Sequence, residues 1–182
     1  MKWIPVALAM AISQNGLNCM TEKDDRELIE ALTSRDAAIA DTAAREVFTR
    51  GDRMFPLLLA LEGNSQPFPG TALYNPRSSI VYPLPGHGTL TETQSERVTT
   101  LEVAALYLIS AIYHGNLHFS SGALLVDQNI ARSDRKARNA KEYLKRAWES
   151  TRNWMTTYKR NDLAFMRSQK LDPLDEAKLA WY

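Results

Sequence analysis

Cysteine is almost missing from this chain of 182 residues, since it occurs once, at Cys19. A single thiol excludes any intrachain disulfide, so a hydrophobic core has to hold the fold together. The length is sufficient for one domain with its own core. We therefore expect a core-stabilised domain rather than a disulfide framework.

The chain also has almost no net charge and has no long apolar runs beyond its first residues. The formal net charge is +1 and the apolar fraction is 45%, which is typical of a globular protein and predicts no bulk attraction to nucleic acid or to a membrane surface. Beyond the first residues, the longest apolar stretch, Leu101 to Tyr113, contains Glu102 and is shorter than the roughly 18 residues that a membrane span needs.

Catalytic and metal-binding motifs are missing as well. There is no G-x-S-x-G turn, no glycine-rich phosphate loop, no paired-cysteine motif and no H-E-x-x-H pattern. His114 and His118 have the four-residue spacing of helical metal ligands, but Gly115 and Asn116 between them favour a helix end, and only the distant His87 could add a third imidazole. We predict no metal, no cofactor and no catalytic residue from this pattern.

The first nineteen residues have the layout of an export signal. Lys2 precedes an apolar run from Trp3 to Ile12, which is long enough for a secretory h-region and too short for a permanent span. Small residues suited to cleavage occur at Ala9-Met10-Ala11. The alternative is that residues 1–19 form the first helix of a cytoplasmic domain, but Pro5 inside the run argues against a long helix.

Residues 16–19 resemble the end of a bacterial lipoprotein signal. Gly16-Leu17-Asn18-Cys19 places a glycine and a leucine before the thiol, with leucine one position later than in that family and asparagine beside the thiol. The resemblance implies lipidation at Cys19 and a membrane contact through that anchor. We accordingly expect an exported protein, periplasmic or membrane-anchored and facing outward, with the cytoplasm as the alternative.

Residues 20–182 are expected to form a single all-α domain. Apolar residues recur at helical spacing in several segments, and two stretches have the form of a capping box, Thr21 to Asp24 and Thr93 to Glu96. The predicted helices are a first near Leu28 to Leu32, a second from Asp36 to Gly51, a third from Met54 to Leu61, a buried central one from Val98 to Tyr113, a long amphipathic one from about Ile130 to Arg160, and a final one from Asp172 to Trp181-Tyr182. The expected architecture is an irregular multi-helix bundle.

Residues 27–62 resemble a HEAT-type helical repeat. The resemblance is carried by Glu27 to Leu32, the Ser34-Arg35-Asp36 turn, the alanine-rich second helix, Gly51-Asp52 and Pro56 to Leu61. It implies a helical hairpin whose small alanines allow close helix packing. No second copy occurs at a fixed period, so a long solenoid is not expected; an unrelated alanine-rich hairpin is the alternative.

Residues 63–91 differ sharply in composition from the rest. They hold five of the eight prolines and four of the eight glycines, so no helix can run through them. The one strand candidate is Ser79 to Tyr82. A loop this long is usually functional or disordered, and the aromatic residues Phe68, Tyr74 and Tyr82, with His87 beside them, predict a partner-binding loop.

Charge is unevenly distributed along the chain. Residues 130–160 hold ten basic and three acidic residues, whereas residues 1–129 hold nine basic and fourteen acidic ones. Such asymmetry can steer an acidic partner, but mutual neutralisation within the molecule is the favoured interpretation because the net charge is near zero. Nucleic acid is not an expected partner of an exported chain.

These observations favour one functional hypothesis and leave two alternatives open. The leading hypothesis is a non-catalytic protein-interaction module of the bacterial cell envelope, of a binding or immunity-like kind, with another protein as its partner. The first alternative is an envelope hydrolase that uses His87, His114 or His118 as acid and base. The second is a cytosolic helical scaffold with residues 1–19 packed into the fold.

Overall fold

The computed structural model describes residues 24–75, 99–130 and 139–182, and these residues are predominantly helical. The helical segments are residues 24–32 (α1), Ala37–Arg50 (α2), a 3-10 turn over Gly51–Met54 that leads into Phe55–Leu59 (α3), Leu101–His114 (α4), Lys141–Tyr158 (α5) and Leu163–Ser168 (α6). Two short strands, Leu125–Asp127 (β1) and Leu179–Trp181 (β2), form an antiparallel ribbon. Of the helices in these ranges, none is both long enough and apolar enough to cross a bilayer.

Helix α4 is the centre of the core, as its apolar sequence predicts. Twelve of its fourteen residues are buried, and α2, α3, α5 and α6 all pack against it. It ends at Gly115, whose φ of 67° is the left-handed conformation that glycine adopts without strain, and whose amide bonds to the carbonyls of Ala111 and Ile112. The helix begins at Leu101, three residues later than predicted, since Thr100 is extended and is the N-cap; Val98 lies outside the described residues.

Helix α2 begins and ends where its sequence predicts. The Asp36 carboxylate accepts hydrogen bonds from the amides of Ala38 and Ile39, and Gly51 follows the last turn. Its buried stripe is Ala40, Ala43, Ala44 and Val47. Ile39 was expected on that stripe but is 49% exposed, because at 3.6 residues per turn it lies about 90° around the helix from the centre of the stripe.

The third predicted helix is shorter than expected. Instead of a helix from Met54 to Leu61, the chain forms the 3-10 turn and then α3, with Pro56 in the first turn of α3 as expected. Phe55 and Leu58 are fully buried in the core. The short segment is therefore held by the packing of these side chains rather than by helix length.

Helix α5 starts later than its periodicity predicts. Asn139 has φ 52° and Ala140 is extended, so the helix begins at Lys141 rather than near Ile130; residues 131–138, with Ala137, lie outside the described residues. The Asn139 side chain bridges to β1, since it accepts from the amide of Leu125 at 2.7 Å and donates to the carbonyl of Ala123 at 3.1 Å. These two hydrogen bonds hold Asn139 against the chain at β1, and α5 starts after it, at Lys141.

The final predicted helix is replaced by a turn and a strand. Asp172 caps the segment as expected, accepting from the amide of Leu174 at 2.8 Å, but residues 173–178 form successive turns. Lys178 has φ 53° and leads the chain into β2, where Val126 pairs with Ala180. The described sheet is thus β1 with β2, while the predicted strand Ser79 to Tyr82 lies outside the described residues.

Candidate functional site

Phe68, the first of the predicted binding residues, lies in the core. It is 4% exposed, and its amide donates to the carbonyl of Thr99 at 2.7 Å. Next to it, Pro67 and Thr100 form an isolated antiparallel bridge. The ring therefore has almost no area left to offer a partner, and its contribution is to fasten this segment to the start of α4.

Tyr74 is half-buried and also faces inward. A hydrogen bond joins its hydroxyl to the hydroxyl of Thr99, and burial raises the pKa of Tyr74 above its usual value. Tyr74 thus connects the chain before residue 76 to Thr99, which follows residue 98. The other predicted site residues, Tyr82, His87 and the lipidation candidate Cys19, lie outside the described residues.

Residues 64–75, which we call the anchored segment, are tied to α2 by Asp41. Its carboxylate accepts from the Thr71 hydroxyl at 3.0 Å and from the amide of Ala72 at 2.8 Å. Gly70 lies so close that a Cβ built on it would meet the Asp41 carboxylate at 2.2 Å and the Phe68 ring at 2.6 Å. A methyl group at this position would require both side chains to move, so the packing favours glycine.

The anchored segment is also tied to α4 and to the loop that follows α4. At one end, the carbonyls of Gln66 and Asn64 accept from the amides of Leu101 and Glu102. At the other end, the amide of Asn75 donates to the carbonyl of Ser121 at 3.0 Å. The described residues on the two sides of 76–98 are therefore joined to each other, through Tyr74 and Thr99.

The histidines His114 and His118 differ in their surroundings. His114 Nε2 lies 3.0 Å from Asp172 Oδ2, and its ring stacks on Phe119 with centroids 4.3 Å apart. His118 has an enclosed Nδ1 without a hydrogen-bond partner. Burial, with a smaller effect of the Arg45 charge, lowers the pKa of His118 from 6.5.

The described residues offer no cluster of three or more His, Cys, Asp or Glu side chains that could hold a metal ion. What the ionisable groups do instead is join distant elements. Arg146 pairs with Asp127 at 2.8 Å, which lowers the pKa of that carboxyl, and Arg152 pairs with Glu62. At two positions, then, basic residues of α5 pair with acidic residues earlier in the chain, as mutual neutralisation requires.

Two residues that anchor residues 64–75 were not singled out by sequence reasoning, Asp41 and Thr99. Their sequence neighbourhoods carry no motif, because each acts through a contact with a residue far along the chain. Asp172 was predicted as a helix cap, but its contact with His114 was not predicted. Comparison with protein-family models, with curated proteins and with solved structures finds no match for this chain.

Proposed function

We propose that this protein is a non-catalytic protein-interaction module of the bacterial cell envelope, of a binding or immunity-like kind. The observation that carries the proposal is the bonding of the residues that flank 76–98. On one side, Tyr74 bonds to Thr99 and the amide of Asn75 donates to the Ser121 carbonyl; on the other side, the Thr99 carbonyl accepts from the amide of Phe68. Residues 76–98 include Tyr82 and His87. A binding segment with a fixed base is the usual design of a recognition loop on a rigid scaffold.

The fixed base has an energetic consequence for recognition. Binding costs free energy for every backbone and side chain that has to be ordered, and a segment whose ends are already held has less to lose. Asp41 and Ser121 hold the base through backbone amides of Ala72 and Asn75. Phe68 and Tyr74, which were predicted as anchors for a partner, take part in the base, so the proposed contact with the partner falls to Tyr82 and His87.

The scaffold and the compartment belong to the same proposal. Residues 27–62 would be a HEAT-type hairpin that packs its alanine-rich α2 against α4, and Ala40, Ala43 and Ala44 are indeed buried there. Residues 1–19 would serve as the export signal, with lipidation at Cys19 as the only membrane contact. Mass spectrometry of the mature N-terminus tests this part: an intact Met1 to Cys19 in the cytoplasmic fraction would contradict export.

The interaction is tested by differential capture from envelope extracts. We expect the wild-type chain to retain a defined protein that Tyr82→Ala and His87→Ala lose, with no change in the thermal midpoint of unfolding. Phe165→Ala is the matched control, since Phe165 is 42% exposed on α6. Equal capture by all four chains would refute the proposed binding segment.

One observation favours a hydrolase as the second candidate. Asp172 Oδ2 lies 3.0 Å from His114 Nε2, so a carboxylate orients the imidazole. A histidine oriented in this way can act as a general base. Purified protein would then hydrolyse simple aryl esters, and His114→Gln would remove that activity without loss of fold. Identical rates for wild type and His114→Gln would show that the pair of His114 and Asp172 is only a structural contact between α4 and the turn after α6.

A further inference from the structure

The loop that follows α4, residues 115–122, contains an imidazole nitrogen, His118 Nδ1, that the protein encloses without a hydrogen-bond partner. We propose that His118 is an acid-sensitive latch, which keeps this loop in place beside α2 while neutral and releases it when protonated. The neutral ring is tolerated because only one of its nitrogens carries a hydrogen. Protonation adds a second N–H, so both nitrogens then need acceptors.

The geometry leaves one ring nitrogen without an acceptor. His118 Nδ1 is enclosed by protein and has no hydrogen-bond partner. The Asn116 side-chain oxygen already accepts from the backbone amide of His118 at 2.9 Å. A buried donor left without an acceptor is destabilising, and a charged donor is more so.

The charges that face the ring oppose protonation as well. Arg45 of α2 is the charged side chain that acts on His118 in the described part of the chain. Asp41, one turn before it on α2, directs its two oxygens to Thr71 and Ala72. His114, the last residue of α4, differs from His118 because it has a carboxylate beside it: Asp172 Oδ2 lies 3.0 Å from its Nε2.

The direction of the pH dependence follows from these surroundings. Burial and Arg45 lower the pKa of His118 below 6.5 in the folded protein. When the loop is detached, the ring regains its ordinary pKa and binds the proton first as the pH falls. The latch is therefore fully closed above pH 6.5 and loses stability as the pH falls from there through the lower, folded pKa.

Release of His118 would reach the anchored segment through Ser121. The Ser121 carbonyl accepts from the amide of Asn75 at 3.0 Å, and the Ser120 hydroxyl donates to the Tyr107 hydroxyl at 3.3 Å. Opening of the loop would remove the support at Asn75. If the proposed function holds, mild acid would thereby weaken partner binding, and this consequence alone rests on that function.

Hydrogen-exchange mass spectrometry on the full chain tests the latch without any partner. After correction for intrinsic exchange, we expect amide protection over residues 115–122 and 71–75 to fall at least about threefold between pH 7.5 and pH 5.5. His118→Gln, which cannot take the proton, should abolish this fall. His114→Gln is the matched control and should keep it.

Two outcomes would overturn the proposal: equal protection of the wild-type loop at both pH values, or an undiminished acid response in His118→Gln. If His118→Gln fails to fold, NMR titration of the wild-type and Arg45→Gln chains decides instead. The His118 ring should then titrate below pH 6.5 and shift upward in Arg45→Gln. A ring that titrates at its ordinary value in both chains would refute the latch, whatever the result of the capture experiment.

Discussion

Helices α4 and α5 pack against each other but are held in place by different forces. Helix α4 has fourteen residues, no lysine or arginine and twelve buried positions. Helix α5 has eighteen residues, of which seven are buried, and its exposed face is charged. Apolar burial keeps α4 at the centre of the core, because almost all of its faces are buried.

Helix α5 needs directional contacts to fix its position, and the C-terminal strap, residues 171–182, supplies them. The Ser150 hydroxyl donates to the carbonyl of Pro173 at 2.7 Å, and the Trp154 indole donates to the carbonyl of Leu171 at 2.6 Å. Arg146 also donates to the carbonyl of Ala177. The comparison shows that apolar burial stabilises the centre of this fold, whereas polar side chains bonded to distant backbone define its edge.

A cavity made in α4 is the most direct test of whether burial holds this helix in place. Leu108 is fully buried, so Leu108→Ala should lower the free energy of unfolding by about 2–5 kcal/mol through lost burial and an incompletely filled cavity. Urea denaturation followed by circular dichroism measures this change. Ile39→Ala, at an exposed position of α2, should change it by less than about 0.5 kcal/mol. Equal effects of the two substitutions would show that α4 is not the core.

A single hydroxyl deletion tests the polar side of the comparison. Ser150→Ala leaves the buried Pro173 carbonyl without its donor, at an expected cost of about 1–3 kcal/mol in unfolding free energy. Thr156→Ala is the control, since its hydroxyl bonds only within the exposed face of α5. Hydrogen exchange should also report loss of protection in the strap. An unchanged strap in Ser150→Ala would mean that packing alone holds α5.

The C-terminal end of α4 also depends on a polar contact. Arg167 of α6 donates to the carbonyls of Tyr113 and Ile112 at 2.6 and 2.7 Å, which satisfies groups that a helix terminus leaves free. Arg167→Met keeps the apolar stem and should cost about 1 kcal/mol in denaturation experiments. Arg160→Met, an exposed arginine after α5, should be close to neutral; a similar loss there would point to net charge as the cause.

The smallest expected effect appears only at high pH. Burial and the bond to Asp52 at 2.8 Å raise the pKa of Tyr158 to about 12. Because the unfolded chain loses this proton near pH 10, the contribution of Tyr158 to stability is complete below pH 10 and is lost between about pH 10 and 12. Tyr158→Phe should flatten this decline in urea midpoints, and Asp52→Asn should reduce it. An unaltered decline in Tyr158→Phe would assign it to other groups.

Local signals made the middle of the fold predictable. Asp36 and Gly51 mark the ends of α2, and Gly115 ends α4 in the expected conformation. The C-terminal strap was read as a helix because Asp172 and Pro173 are typical of a helix start. Its strand, residues 179–181, pairs with β1, and short-range patterns cannot show such a pairing. For the site, the aromatic residues Phe68 and Tyr74 drew attention to the segment, but their inward orientation depends on Thr99, 25 or more residues away.

By itself, the order of residues determined that the chain is mainly helical and that the apolar stretch after residue 100 is central. It also determined that stability comes from the core, because a single cysteine cannot form an intrachain disulfide. These properties follow from spacing and composition, which act within a few residues. Only the tertiary structure decided that Phe68 faces inward, that residues 179–181 form a strand and that His118 has an unpartnered nitrogen. Each of these depends on which distant backbone or charge comes within contact distance, and that is known only once the chain has folded.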